Sequence, residues 1–130
     1  MSSVMTAAAT GVFPAVDQHA SDVRRMLLAA LDARHAPIAD DAVLAAHELF
    51  ANAVLHGSQS PHDTITVTIE HSDTVVWIGI KDHSPCLPRP RFSGPQDTNG
   101  RGLCLVEALS NGWGVIPHRP GKTVWFTIHT

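Results

Sequence analysis

The sequence predicts an α+β two-layer sandwich, with one mixed, mostly antiparallel sheet carrying three helices on one face. Three observations predict it. Residues 64–71, TITVTIEH, alternate between apolar and polar side chains as a half-buried strand does. Two longer segments, 18–35 and 41–57, repeat their apolar residues at helical spacing. Strand-like pairs joined by short turns adjoin the helical segments, and hairpins next to helices fit helices layered on one sheet.

Taken in order, residues 1–11 read as a flexible lead. They have neither the basic start nor the long apolar core of a signal peptide. A single domain is expected over 12–130. VFPAV (12–16) reads as a short edge strand broken by Pro14, which has no N–H to give a sheet ladder. Asp17 is a candidate cap for a first helix with Val23, Met26, Leu27, Ala30 and Leu31 on one face, interrupted by Pro37. Asp40 or Asp41 then caps a second helix that ends at His56-Gly57, with Gly57 a suitable terminator. Ser72-Asp73 turns strand 64–71 into a more apolar strand, 74–82. Residues 83–99 hold four prolines and few large apolar side chains, so they read as a long loop of the kind that carries function. A third helix over 102–112 and two strands, 113–118 and 122–129, joined by Arg119-Pro120-Gly121, complete the chain.

Composition excludes several classes. With 44% hydrophobic and 16% charged residues over 130 positions, the chain can bury a core and is not a disordered segment. A net charge of −3 with scattered Lys and Arg argues against direct nucleic-acid binding, which needs a basic stripe. No apolar run is long enough for a membrane span. Two cysteines, Cys86 and Cys104, make no disulfide framework, which favours a reduced cytoplasmic setting. The nine histidines are spread along the chain and read mostly as surface or capping residues.

Some tempting motifs fail. His47-Glu48 would begin a zinc motif, but Ala51 stands where its second His belongs. Gly121-Lys122-Thr123 ends like a P-loop, yet Ile116 replaces the earlier Gly and a strand follows. The GRGLCL stretch has Leu105 at the third Gly position of a dinucleotide fingerprint.

One pair resists a bland account. The helix containing HELFANAVLHG (47–57) is apolar around most of its circumference, yet Glu48 and Asn52 share a narrow stripe one turn apart. Polar groups in such a helix need partners, solvent or a wet cavity. Taken alone, the pair is more often a solvent-facing strip or a local hydrogen bond than a site.

Four segments occur in a specific order: ELFANAVLHG (48–57), DHSP (82–85), NGRGL (99–103) and GKTV (121–124). Together they resemble the nucleotide site of the GHKL superfamily, which includes gyrase, Hsp90, histidine kinases and MutL. The pattern is more similar still to the small bacterial anti-sigma-factor serine/threonine kinases and their actinobacterial relatives. The resemblance spans residues 12 to 128 and implies the Bergerat (histidine kinase-like ATPase) fold, with ATP and Mg²⁺ as ligands. It implies Asn52 as the magnesium ligand, its amide oxygen being a hard donor, and Glu48 as the catalytic general base. Asp82 would read the adenine amino group, and Ser84 would stand where the family usually has a small Gly. Residues 86–99 match the ATP lid. Gly100, Arg101, Gly102 and Leu103 match the phosphate-side segment at a helix start, where backbone N–H groups and the dipole favour anions. Thr123 matches a threonine whose hydroxyl supports the Asp–adenine contact, directly or through water. His56 and Gly57 would close the helix at the pocket rim.

There is one departure. Kinases of this type tend to carry Arg just before the second Gly-rich motif, to stabilise the transferred phosphoryl group. Thr98 stands near that place, and Arg89, Arg91 and Arg101 are not aligned with it. The resemblance therefore implies two functions. In one the chain is a kinase that phosphorylates a Ser on a STAS-domain antagonist and sequesters a sigma factor. In the other it is an ATP-binding interaction module with little transfer. A metal-dependent hydrolase built on Glu48 and a His lacks a second ligand at suitable spacing. Relatives of this type often dimerise through the sheet, for which 12–16 would supply an edge.

Overall fold

In the computed structural model, residues 4–56, 60, 62–83 and 98–130 are described, with residues 98–102 described by their backbone alone. Five strands form one sheet: β1 (Thr6–Pro14), β2 (Thr64–His71), β3 (Val75–Asp82), β4 (Gly112–Pro117) and β5 (Lys122–His129). Their order across the sheet is β1-β2-β3-β5-β4, and all four ladders are antiparallel. The parallel pairing allowed by a mixed sheet does not form. The connection from β3 through a helix returns β4 in the direction of β3, but β5 pairs between them, and so no parallel neighbours meet.

Period-two alternation sorts the sheet into two faces. Ile65, Val67 and Ile69 of β2, Val76, Ile78 and Ile80 of β3, and Phe126 and Ile128 of β5 form a buried set on one face. Three α-helices cover that face: α1 (Ala20–Ala30), α2 (Ala39–His56) and α3 (Thr98–Leu109). Val23 and Leu27 of α1, Leu49 and Phe50 of α2 and Val106 of α3 complete the core. Each fully buried side chain of this size contributes about 1.5–3 kcal/mol. The other face carries Thr66, Thr68, Trp77, Trp125 and Thr127, all half-buried.

Boundaries moved in several places. β1 starts at Thr6, not at Val12, so residues 6–11 pair with β2 rather than forming a loose lead. The small side chains of TAAATG carry almost no apolar alternation, and tertiary pairing decides there. The first helix is split. α1 stops at Ala30 and a 3-10 segment, Ala33–Ile38, contains Pro37. Asp32 caps that segment by accepting the N–H of Arg34 at 2.9 Å, while its own N–H donates to His35 Nδ1 at 3.3 Å. Asp17 makes no capping bond. Asp40 and Asp41 lie inside the first turn of α2, where the helix dipole favours them, and neither is its cap. α3 begins at Thr98 and ends at Leu109, earlier at both ends than expected. Gly57 lies outside the described residues.

Candidate functional site

α1 packs on β1 and β2, α2 on β2 and β3, and α3 on α2 and β4, so the helices follow the order of the sheet. Within α2 the buried residues Ala42, Ala45, Ala46, Leu49, Phe50 and Ala53 define the face that rests on the sheet. Val43, His47 and Phe50 line the groove shared with α1. At about 100° per residue, Glu48 and Asn52 fall on the opposite flank, which turns toward α3. Both are half-buried. The pair therefore stands on the side of α2 that faces α3, off the groove side, with Glu48 on the stripe that also carries the exposed Asp41 and Leu55.

α3 begins at Thr98, so its outward first-turn N–H groups lie at residues 98–100, while the backbone of Arg101 and Gly102 is already in the intrahelical part of the helix. Of the expected phosphate-side segment only Gly100 lies in the first turn. Leu103 is half-buried and packs against the core. Ser84, Arg89 and Arg91 lie outside the described residues, as does most of the expected lid.

Asp82 ends β3 and is 2% exposed. It shares a face with Ile78 and Ile80, and its register partner is Lys122, the first residue of β5. Lys122 Nζ meets Asp82 Oδ2 at 2.7 Å, with the two side chains 8% and 2% exposed. A buried ion pair of this kind is costly to break from one side, about 3–5 kcal/mol, because the remaining charge is stranded. Close approach of the two strands at this end depends on Gly121. Its φ is 96°, and a Cβ there would lie 2.1 Å from the Asp82 carbonyl oxygen.

The structure does not bring Thr123 to Asp82. Thr123 is paired with Lys81, and its methyl group lies next to Gly79 on the sheet face away from the helices. Its hydroxyl is hydrogen-bonded to His118 Nε2 at 2.8 Å. Strand alternation is the reason: neighbouring residues of β5 point to opposite faces, so Lys122, not Thr123, lies beside Asp82. Sequence reasoning missed Lys122, although its parity with Val124, Phe126 and Ile128 was there to be read.

Among the described residues, one group has metal-ligand spacing, Asp32, His35 and His71. It sits at the other end of the sheet from Asp82. His35 Nε2 donates to the Ser72 carbonyl at 3.1 Å and His71 Nε2 to the Ala30 carbonyl at 3.0 Å, so the rings tie α1 and the 3-10 segment to the β2–β3 turn. Arg34 pairs with Asp32 and Asp73 across the same corner. Its guanidinium holds the Asp32 carboxyl far below the usual carboxylate range. The resemblance implies magnesium elsewhere, at Asn52, and the donor chemistry there would suit it. Mg²⁺ takes oxygen ligands, often few from protein, and a half-buried amide oxygen beside a carboxylate is such a set.

Among the described residues no helix is long and apolar enough to cross a membrane. No curated protein matches the chain in sequence. A solved structure, the RsbU and RsbW domains of Rv1364c from Mycobacterium tuberculosis, is similar, with a TM-score of 0.64 at 22% identity. The match covers 92% of this chain and 32% of the other, so the chain spans about a third of that protein's length, and the likeness is one of fold. The family model for the histidine kinase-like ATPase domain matches residues 13–128, and with its sheet, helices and buried strand-end Asp in place the chain belongs to that family.

Proposed function

We propose that this chain binds Mg-ATP in the valley between α2 and α3 and transfers the γ-phosphoryl group to a serine of a STAS-domain antagonist, regulating a sigma factor by partner switching. The observation that carries this reading is the half-buried Glu48–Asn52 pair on the flank of α2 that faces α3. A kinase needs a base and a metal ligand side by side, and one helical turn provides that spacing. The likeness to an RsbW domain supports the same reading.

Each residue then has a role. Asp82 accepts a hydrogen bond from the base. The first turn of α3 directs N–H groups toward phosphate oxygens. Asn52 would hold the magnesium ion through its amide oxygen, and the ion supplies neutralising charge to the phosphates. Glu48 takes the proton of the attacking hydroxyl as the new O–P bond forms and the bond from the γ-phosphorus to the leaving ADP breaks.

A second reading, an ATP-dependent interaction module with little transfer, is favoured by Thr98 standing where the family's kinases carry Arg. The two separate in a transfer assay with radiolabelled ATP and a STAS-domain protein, run beside nucleotide titrations. On the kinase reading, Glu48→Ala removes label transfer by at least a hundredfold and changes ATP affinity less than threefold. No transfer by the wild-type chain, with ATP bound, establishes the module instead.

A further inference from the structure

The helix layer is not closed where α1 meets α2. A groove of about 430 Å³ runs between them, a volume in the range of ligand-binding clefts. Its floor belongs to the core, with Val23 and Leu27 of α1 and Phe50 of α2 all buried. Leu28 stands on the α1 rim and Leu44 on the α2 rim, 41% and 43% exposed. Large aliphatic side chains left in water on both sides of an apolar channel mark a surface that binds something.

The shape and the charges say what it binds. On α1 the lining falls at positions 20, 23, 24, 27 and 28, and on α2 at 40, 43, 44, 47 and 50, one stripe on each helix. The α2 stripe is about 15 Å long, which matches about three turns of a further helix. The two walls are of opposite sign, with Arg24 on α1 and Asp40 on α2. Neither forms an ion pair with another described residue, whereas the adjacent Arg25 is already paired with Asp22 at 2.8 Å. Ser21 and His47 complete the polar rim.

We infer that the groove between α1 and α2 receives an amphipathic helix of a protein partner. That helix has apolar anchors at i, i+3 or i+4 and i+7, an acidic residue on the flank that meets Arg24 and a basic one on the flank that meets Asp40. The anchors supply the affinity, since they fill a desolvated floor. The exposed charge pairs add little strength and set the direction, because a reversed helix would put like charges together. A second copy of the chain has no suitable helix to insert. Among the described residues α1 exposes Leu28 as its one large apolar side chain, and α2 exposes Leu44 and Leu55, about three turns apart with no anchor between them. The groove is on the α1 side of α2 and α3 packs elsewhere on that helix, so the docked helix leaves the proposed nucleotide site uncovered.

The test is selection of a phage-displayed library of random helical peptides on the full chain, with Leu44→Ser as the counter-selection target. Recovered peptides should carry apolar anchors at helical spacing, acid on one flank and base on the other. In fluorescence anisotropy, Leu44→Ser should bind a recovered peptide at least tenfold more weakly than the wild type, and a non-hydrolysable ATP analogue should not displace it. Arg24→Glu makes both walls acidic, and selection on that variant should return peptides that are basic on both flanks. Both positions are exposed, and circular dichroism checks folding; if Leu44→Ser fails to fold, Leu28→Ser replaces it. No peptide that discriminates the wild type from the leucine variant overturns the inference, as do discriminating peptides without the charge signature or peptides displaced by the analogue. Sedimentation that shows a dimer dissociated by Leu44→Ser overturns it in favour of a second copy. None of these results bears on whether the chain binds nucleotide.

Discussion

Gly121 is the position where a single methyl group should do most harm. It sits in the β4–β5 turn at φ 96°, and an added Cβ would lie 2.1 Å from the Asp82 carbonyl oxygen and 3.0 Å from His83 Cα. The obstructing atoms are backbone, so no rotamer change relieves them. Holding Ala at that φ costs about 1–3 kcal/mol. Opening the contact to an ordinary separation moves the β3 end by roughly 1 Å, an overpacking cost of about 1–3 kcal/mol. Gly121→Ala should therefore lower stability by about 2–6 kcal/mol, a large part of the ~5–15 kcal/mol typical of a domain. Urea denaturation followed by the fluorescence of Trp77, Trp113 and Trp125 measures it. Gly114→Ala is the control, because its Cβ would meet ring atoms of Trp125 at 2.9 Å, a side chain that can yield. A loss below about 1 kcal/mol for Gly121→Ala, or one no larger than that for Gly114→Ala, would show that the close strand approach at Asp82 is not built as described.

Two further outcomes follow from the packing and the charges. Phe50 is 1% exposed, sits under α2 and meets Phe13 edge-on with ring centroids 6.4 Å apart, so Phe50→Ala should cost about 3–5 kcal/mol in the same denaturation assay. Asp32 has its carboxyl depressed chiefly by the Arg34 hydrogen bonds. A depressed carboxylate stabilises the fold above its unfolded pKa, and that contribution is lost only as pH falls through the lower folded value. In an NMR titration the Asp32 carboxyl carbon should show no midpoint in the ordinary carboxylate range, and Arg34→Ala should bring the midpoint back toward about 3.9.

Much of the fold was legible. Alternation marked β2 at its observed ends, and β5 was placed at its observed ends as well. α2 is apolar around most of its circumference, so periodicity located the helix and not its core face. β1 was not readable at its start, because Thr6 to Gly11 carry small side chains whose strand state comes from pairing with β2. The break after Ala30 was hidden for a different reason. Apolar spacing continues to Leu31, while the Asp32–His35 capping box that starts the next segment has a His in the place usually held by Glu or Gln. At the end of β3, the expected Asp82–Thr123 proximity does not form, because Lys122 is the residue that meets Asp82. Matching a hydroxyl by name led to Thr123, whereas counting in twos from the apolar residues 124, 126 and 128 leads to Lys122. The arrangement of Glu48 and Asn52 needed the tertiary structure, since periodicity shows that they share a stripe but not which neighbour the stripe faces.

On the function proposed above, the valley between α2 and α3 holds a magnesium-bound nucleotide against Asp82. The most direct test is a calorimetric titration of the wild-type chain with a non-hydrolysable ATP analogue, with and without Mg²⁺, beside Asn52→Ala. One site per chain is expected at micromolar affinity, weakened by removal of Mg²⁺, with Asn52→Ala binding equally weakly in both conditions. Absence of binding at millimolar analogue, or binding whose magnesium dependence survives Asn52→Ala intact, contradicts it.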